Sequence, residues 1–211
     1  MTTDFAMPDP GTLVPSMLVP APLAGADLLF APRWLDAAAA DALQAVLGAQ
    51  VPWEVHRIRL FGRDVASPRL SCWIGDPGAA YRYSGALFHP RAWPLGLQQL
   101  RGRLEASCGA SFNSVLANRY RDGSDGMGWH SDDEPELGLQ PVIASLSLGA
   151  TRRFLLKARA QDGQRLALDL PAGSLLLMRG DTQRNYRHAL PRTARPVGER
   201  INLTFRNIRT T

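Results

Sequence analysis

The sequence has little cysteine and contains neither a long apolar run nor a recognisable secretory signal. Its two cysteines, Cys72 and Cys108, are not spaced as zinc ligands or as a redox pair, which favours two buried structural thiols. No apolar stretch is long enough to cross a bilayer, and Met1–Asp4 lack the positive start that precedes the apolar segment of a signal. We therefore expect no membrane association and a reducing, cytoplasmic location.

Lysine is nearly absent, because Lys157 is the only one and arginine supplies the rest of the basic side chains in a chain of net charge +5. A basic protein attracts polyanions, and nucleic acid is the usual partner. Arginine in place of lysine is also typical of genes rich in G and C, so the charge favours nucleic acid only weakly. The 211 residues suffice for one domain with a sizeable core and are few for two.

The first half of the chain is predicted to be an arm followed by helices. Five prolines fall within residues 1–24, so we expect a loosely held arm there and a single domain over residues 25–211. The alanine- and leucine-rich stretch Trp34–Leu47 predicts a helix, as does Pro94–Ser107, which Gly109 should end. Alternation of apolar and basic residues over Val55–Leu60 predicts a half-buried strand.

From Phe112 onward the pattern changes to short strands separated by turn-forming residues. The predicted strands are Ser114–Arg121, Val142–Ser147, Arg153–Lys157, Leu166–Leu170, Ser174–Met178 and Arg200–Asn207. Many short strands at this spacing are typical of a sandwich or barrel, and a jelly roll is the common form at this length. The fold class is therefore α+β, with N-terminal helices and a β-sandwich core.

A candidate metal site begins with His130 and Asp132, which point to the same side of an extended backbone because they are two residues apart. His188, after a later strand, could supply a third ligand. Two histidines and one carboxylate on neighbouring strands form a facial triad that leaves positions open on iron(II). A His-X-Asp pair alone occurs by chance in many proteins, and His130 could equally be a surface or core histidine.

The C-terminal strand carries a second pattern. Arg200, Asn202, Thr204 and Arg206 share one face, while Ile201, Leu203 and Phe205 form the other. The polar face is costly to bury unless it holds an anion, and arginine pairs bidentately with carboxylates. The strand is either a clamp for a dicarboxylate or a solvent-facing strand with scattered charge.

These motifs together resemble the AlkB family of nucleic-acid dealkylases. The likeness rests on Asn118-Arg119-Tyr120, His130-Ser131-Asp132-Asp133-Glu134, His188 and the Arg200–Arg206 strand, in order and at matching spacing. It implies a double-stranded β-helix (jelly-roll) core over about residues 112–208 and a β-hairpin nucleotide-recognition lid over about residues 52–90. It also implies iron(II), 2-oxoglutarate and O2 as cofactor and co-substrates, and alkylated DNA as the partner.

The resemblance also implies a role for each residue of the site. His130, Asp132 and His188 would bind iron, and Arg200 would pair with the distal carboxylate of 2-oxoglutarate. The rest of that pocket would be formed by Asn118, Tyr120, Asn202 and Arg206. Tyr83 would stack on a flipped base opposite His130, and further lid and base-edge contacts would come from Arg69, Tyr81, Asp133 and Glu134.

Several alternatives stay open at this point. Phe61 could be a wedge that fills the gap left by a flipped base, or a core phenylalanine, and the preference for duplex or single strand is undecided. Arginines around His188 could contact phosphates or form a solvated loop; they are Arg179, Arg184, Arg187, Arg192 and Arg195. The substrate could instead be RNA or a protein side chain, and a non-catalytic jelly-roll binding module is the competitor from another class. A monomer is the simplest expectation.

Overall fold

A computed structural model describes residues 17–60, 63–83, 86–160 and 163–209, with the backbone alone for residues 57–60, 63–64, 81–83 and 86–88. The elements of the first half are β1 (Val19–Pro20), β2 (Asp27–Ala31), α1 (Ala37–Gln50), β3 (Arg57–Leu60), β4 (Arg63–Ala66), β5 (Leu70–Gly75), β6 (Tyr81–Tyr83), β7 (Ala86–Phe88) and α2 (Leu95–Cys108). Those of the second half are β8 (Ser114–Tyr120), β9 (Met127–His130), a 3-10 turn (Pro135–Leu137), β10 (Ile143–Gly149), β11 (Arg152–Ala158), β12 (Arg165–Leu170), β13 (Leu175–Arg179), α3 (Thr182–Asn185), β14 (Tyr186–Leu190) and β15 (Arg200–Arg206).

Both predicted helices are present, and their ends follow from local chemistry. α1 begins three residues later than predicted, because Asp36 caps it by accepting a hydrogen bond from the amide of Ala39 at 2.7 Å. α2 ends at Cys108, because the following Gly109 adopts a left-handed conformation with φ +62°. Within the described ranges, no helix is long and apolar enough to cross a membrane.

The strands form two facing antiparallel sheets, which confirms the predicted α+β fold with a jelly-roll core. The larger sheet has the order β1-β2-β13-β10-β15-β8-β5, and the smaller one β12-β11-β14-β9. An apolar cluster lies between them, with Ile143 and Met178 from the larger sheet and Phe154 and Leu190 from the smaller. The helices cover the other face of the larger sheet, where α1 and α2 residues pack against β10 and β15 in one core.

Each predicted strand is present, with bounds that differ by at most two residues, but the sequence pattern missed several others. β2 and β14 are the most consequential: β2 adds to the edge of β13, and β14 carries His188. Val19 and Pro20, within the predicted arm, pair with β2.

The region of the predicted β-hairpin lid, residues 52–90, contributes one strand to the larger sheet and four to small hairpins. β5, in its middle, belongs to the larger sheet and pairs with β8 along its whole length. The remaining strands of this region form two small hairpins, β3 with β4 and β6 with β7. The apolar stretch of β5 explains the difference, because five of its six residues are buried against the core.

Candidate active site

The structure brings the three predicted iron ligands together at one end of the smaller sheet. His130 is the last residue of β9 and pairs directly with His188 on β14, while Asp132 follows two residues later. The candidate ligand atoms of these three side chains all lie within 4.8 Å of one another. In the part of the chain that the structure describes, no other group of three or more histidine, cysteine or acidic side chains has this closeness.

His130 is oriented by its own backbone. Its Nδ1 lies 2.8 Å from the carbonyl oxygen of Gly128 and therefore donates the ring proton to it. The lone pair is then on Nε2, which faces Asp132 with 3.9 Å between Nε2 and Oδ1. A hydrogen bond to the other ring nitrogen is the usual way in which proteins fix the tautomer of a metal-binding histidine.

The charges of the cluster suit a divalent cation. Burial opposes ionisation of Asp132, but Arg206 and the two histidines outweigh it and lower the pKa of Asp132 to about 2. Arg206 donates from Nη2 to Asp132 Oδ1 at 2.9 Å, and both side chains are buried. Burial, with a smaller effect of His130, lowers the pKa of His188 to about 3. A carboxylate and neutral histidines are the protonation states that metal binding requires.

Three further side chains hold the segment that carries Asp132, and the sequence pattern gave no sign of these contacts. Gln183, on α3, accepts a hydrogen bond from the Asp132 backbone amide at 3.0 Å. Ser131 donates from its hydroxyl to the Tyr186 carbonyl oxygen at 2.8 Å, and Arg159 donates to the same hydroxyl at 2.8 Å. These contacts join elements far apart in sequence, so only the fold reveals them.

The polar face of β15 lines the pocket behind the cluster, so the solvent-facing alternative for this strand is wrong. Arg200, Asn202, Thr204 and Arg206 are all buried. The pocket that their side chains line also contains Asn118 and Tyr120 of the neighbouring β8, together with the three candidate ligands. Register explains this grouping, because Arg200 pairs with Tyr120 and Asn202 with Asn118.

Arg200 is the largest fully buried side chain of the protein's described part, and no carboxylate there forms an ion pair with it. Its Nη2 donates to Ser147 Oγ at 2.9 Å, its Cζ lies 5.3 Å from the Tyr120 ring centre, and its Nε has no hydrogen-bond partner. Burial lowers the pKa of Arg200 to about 10. A buried guanidinium with an unused donor is costly unless an anion joins it.

Asn202 and Asn118 are already bonded within the protein. Asn202 donates to Ser145 Oγ at 2.8 Å and to the Leu146 carbonyl at 2.9 Å, and it accepts from Thr204. Asn118 accepts from Nε of Arg69 at 2.7 Å. Arg69, predicted to contact substrate, is buried and lies beside the pocket through this bond.

The predicted base-contacting residues have different surroundings. Asp133 is exposed and forms an ion pair with Arg159, and Glu134 is half-buried at the start of the 3-10 turn. Tyr81 and Tyr83 lie on β6, whose side chains are outside the described residues, as is the whole of Phe61.

Of the arginines predicted around His188, Arg179 forms an ion pair with Asp27 at 3.0 Å and is thereby committed within the protein. The other four are exposed, namely Arg184, Arg187, Arg192 and Arg195.

The side chains present fit both predicted groups. The His-Asp-His cluster has the donor types and open side that iron(II) takes in a facial triad. Arg200, at the other end of the same pocket, has the unused buried donor that a distal carboxylate of 2-oxoglutarate would occupy.

Comparison with known proteins agrees with this geometry. Residues 27–206 match the 2OG-Fe(II) oxygenase superfamily. The chain is 38% identical over 186 residues to alpha-ketoglutarate-dependent dioxygenase alkB homolog 3 of Rattus norvegicus, which covers 84% of this chain and 62% of that protein. It is 39% identical over 159 residues to DNA oxidative demethylase ALKBH2 of Homo sapiens, which covers 72% of this chain and 61% of that protein. The chain thus spans about three fifths of the length of these curated relatives.

The solved structure of OsALKBH1 superposes with a TM-score of 0.64 over 90% of this chain and 99% of that one. At 17% identity, this is a likeness of fold. The match over residues 27–206 and the identity to the two AlkB homologues carry the assignment. The chain therefore belongs to the 2OG-Fe(II) oxygenase superfamily and, within it, to the AlkB family.

Proposed function

We propose that this protein is an iron(II)- and 2-oxoglutarate-dependent dioxygenase that removes alkyl groups from damaged bases, with DNA as its substrate. The observation that carries the proposal is the pocket itself. At one end it has the His-Asp-His cluster, in which Asp132 and His188 are buried, and at the other the buried Arg200, which has no carboxylate partner among the described residues. One group needs a cation and the other an anion.

When bound, iron(II), 2-oxoglutarate and dioxygen supply the oxidation that hydroxylates an alkyl carbon on a base nitrogen, with succinate and carbon dioxide as co-products. The hydroxylated group is released as an aldehyde and leaves the unmodified base. His130, Asp132 and His188 hold the metal in this proposal. Arg206 keeps Asp132 ionised and fixed, while Arg200 binds the distal carboxylate beside Tyr120.

Recognition of the base falls to residues at the pocket's mouth. A base stacked within a duplex cannot reach a buried metal, so it must be turned out of the stack. Asp133 is exposed beside Asp132 and held by Arg159, which suits an acceptor for the polar edge of a base. Tyr83 as a stacking partner, with Tyr81 and Glu134 at the base edge and Phe61 as a wedge, remain predictions.

DNA is preferred as the substrate on two grounds. The chain is basic, with net charge +5, and one of its relatives bears the name DNA oxidative demethylase. RNA and a protein side chain are the alternatives, and a binding module without catalysis is the competitor of another class.

The test is a repair assay read by mass spectrometry. Protein, iron(II), 2-oxoglutarate and ascorbate are mixed with an oligonucleotide that carries one 1-methyladenine, as single-stranded DNA, duplex DNA and RNA in parallel. We expect loss of the methyl mass from DNA only when 2-oxoglutarate is present. Asp132→Ala should abolish it, whereas Arg153→Gln, at an exposed pair with Asp169, should retain it.

Other results would redirect the proposal. Succinate formation without loss of the methyl group from any oligonucleotide would keep the dioxygenase and point to a protein substrate. A faster reaction on RNA than on DNA would indicate RNA as the substrate. If folded protein that binds Mn²⁺ at the cluster forms no succinate and removes no methyl group, the non-catalytic binding module would replace the dioxygenase as the proposed function.

A further inference from the structure

The outer face of the smaller sheet carries a row of cations. In β11, Phe154 and Leu156 point into the apolar cluster, so Lys157 points outward. Lys157 pairs directly with Arg165 on β12 at one side and with Arg187 on β14 at the other. The three residues, which we call the cation row, therefore cross three neighbouring strands in a line of about 10 Å.

The cation row is unfavourable for the protein alone. Like charges directly opposite one another on neighbouring strands are destabilising. Within the described ranges, no acidic side chain forms an ion pair with Lys157, Arg165 or Arg187. By contrast, Arg153 on the same face of β11 pairs across the sheet with Asp169. The sheet thus neutralises its charges at one end and leaves three cations together at the other.

The cation row leads to an exposed aromatic ring next to the active site. Trp129 lies on β9, the edge strand of the sheet, and is 43% exposed. Lys157 Nζ lies 4.5 Å from the centre of its ring. The next residue is His130, whose side chain turns the other way into the metal cluster. The cation row and the exposed ring of Trp129 therefore form a surface that ends beside His130, the first residue of the metal cluster.

We propose that the cation row and Trp129 form a track for single-stranded nucleic acid, holding the nucleotides beside the base that enters the site. This rests on the proposed function. Lys157, Arg165 and Arg187 contact backbone phosphates of one strand, since their side chains stand in a row on three neighbouring β-strands. Trp129 stacks on a neighbouring base, and only an unpaired base presents its face to a ring in this way.

The test is binding of a labelled, unmodified single-stranded oligonucleotide over a range of salt concentrations, followed by fluorescence anisotropy. In the triple variant Lys157→Gln, Arg165→Gln, Arg187→Gln we expect the slope of log Kd against log salt to fall by about 2, since each phosphate contact to a single strand contributes roughly 0.7. Trp129→Ala should weaken binding roughly fivefold or more. Loss of folding is not expected to interfere, because removing repulsion in the row should leave stability unchanged or higher.

Arg153→Gln is the matched control, because it removes a cation from the same face of the same strand but one already paired with Asp169. Its salt slope should equal that of the wild type. A second control is the substrate length: demethylation of a methylated mononucleoside, which has no flanking nucleotide or phosphate, should be unchanged in the triple variant, while that of a longer strand slows.

The outcomes separate this inference from the proposed function. Wild-type protein that binds and repairs DNA, with a triple variant of unchanged salt slope, would overturn the track alone. So would an equal loss in Arg153→Gln, or an equal effect on duplex and single strand. Wild-type protein that binds no oligonucleotide would overturn both the track and a nucleic-acid substrate.

Discussion

The backbone amide of Asp132 donates a hydrogen bond to Oε1 of Gln183, 3.0 Å away, and both residues are buried. Gln183 lies on α3, directly before the strand that carries His188, and Asp132 follows the strand that carries His130. The bond therefore ties together the two segments that supply the candidate metal ligands, in addition to the pairing of His130 with His188.

Removing this acceptor should weaken metal binding. Gln183→Met keeps the length of the side chain but leaves the Asp132 amide without its partner, so the carboxylate is less firmly placed. We expect affinity for Mn²⁺, measured by titration calorimetry without oxygen, to fall by about 10- to 100-fold. The KM for 2-oxoglutarate should change little, because Arg200 is untouched.

The control is Gln140→Met, at an exposed glutamine that bonds to Asp181. It should bind Mn²⁺ like the wild type. Unchanged affinity in Gln183→Met would mean that the strand pairing alone places Asp132.

Arg200 should determine the affinity for 2-oxoglutarate. Arg200→Lys keeps the charge but loses the planar fork, so we expect the KM for 2-oxoglutarate, from succinate formation, to rise by about tenfold or more. Arg200→Met should show no saturation at all. Because the buried guanidinium lacks a carboxylate partner among the described residues, Arg200→Met should not lower the melting temperature of protein free of 2-oxoglutarate.

The same variants give a second readout. Mn²⁺ and 2-oxoglutarate together should raise the melting temperature of the wild type, since a ligand that binds only the folded state stabilises it. They should raise that of Arg200→Met no more than Mn²⁺ alone. An equal increase in both proteins would place the distal carboxylate elsewhere.

The sequence predicts the parts of this site that depend on spacing within one strand. Parity places Arg200 and Arg206 on one face of β15, and the two-residue step places His130 beside Asp132. That the polar face is buried and not solvated could not be read from β15 itself, since burial is decided by the smaller sheet that covers it. The family resemblance supplied that information, and the superfamily match together with the identity to the two AlkB homologues confirms the family.

Contacts between distant elements could not be predicted in this way. Gln183 and Ser147 reach the site because β13, β10 and β15 are neighbours in the sheet, and nothing in their local sequence distinguishes them. β14 was missed because it follows a single helical turn and is only five residues long. The start of α1 was misplaced because composition favoured Trp34, whereas the cap at Asp36 decides it.

Cys72 and Cys108 should be inert in the folded protein. Burial raises the pKa of each thiol to about 11, so almost no thiolate is present at neutral pH. We expect iodoacetamide at pH 7.5 to label neither cysteine in native protein and both in denaturant, as measured by intact mass. Rapid native labelling of either thiol would show that it is accessible.

The same shift predicts how stability depends on pH. The thiol pKa is about 9 when the chain is unfolded and about 11 when it is folded, so the folded state retains protons that the unfolded state loses. This contribution to the free energy of unfolding is complete below pH 9 and decreases as the pH rises towards 11. Urea unfolding across that range should show a smaller decrease for Cys108→Ala than for the wild type.

Arg152 should be a structural arginine, although it lies close to the pocket. Its guanidinium is buried and donates to three carbonyl oxygens, those of Asp122, Asp125 and Pro191, at 3.0, 2.9 and 2.8 Å. It thereby joins the turn after β8 to the end of β14. Its Cζ also lies 6.0 Å from the centre of the Tyr120 ring, on which Arg200 packs as well.

In Arg152→Met the three carbonyl groups lose their donor, and an unsatisfied buried acceptor costs on the order of 1–3 kcal/mol. The apolar side chain offsets part of this cost because no charge has to be buried, so we expect the free energy of unfolding in urea to fall by about 2–4 kcal/mol. Arg153→Met, one residue along β11 but exposed, should change it by less than about 1 kcal/mol, because an exposed ion pair contributes little. Because Tyr120 loses one of its two cationic neighbours, the KM for 2-oxoglutarate should also rise in Arg152→Met and not in Arg153→Met. Reduced stability without any change in the KM for 2-oxoglutarate would show that Arg152 stabilises the fold and does not influence the pocket through Tyr120.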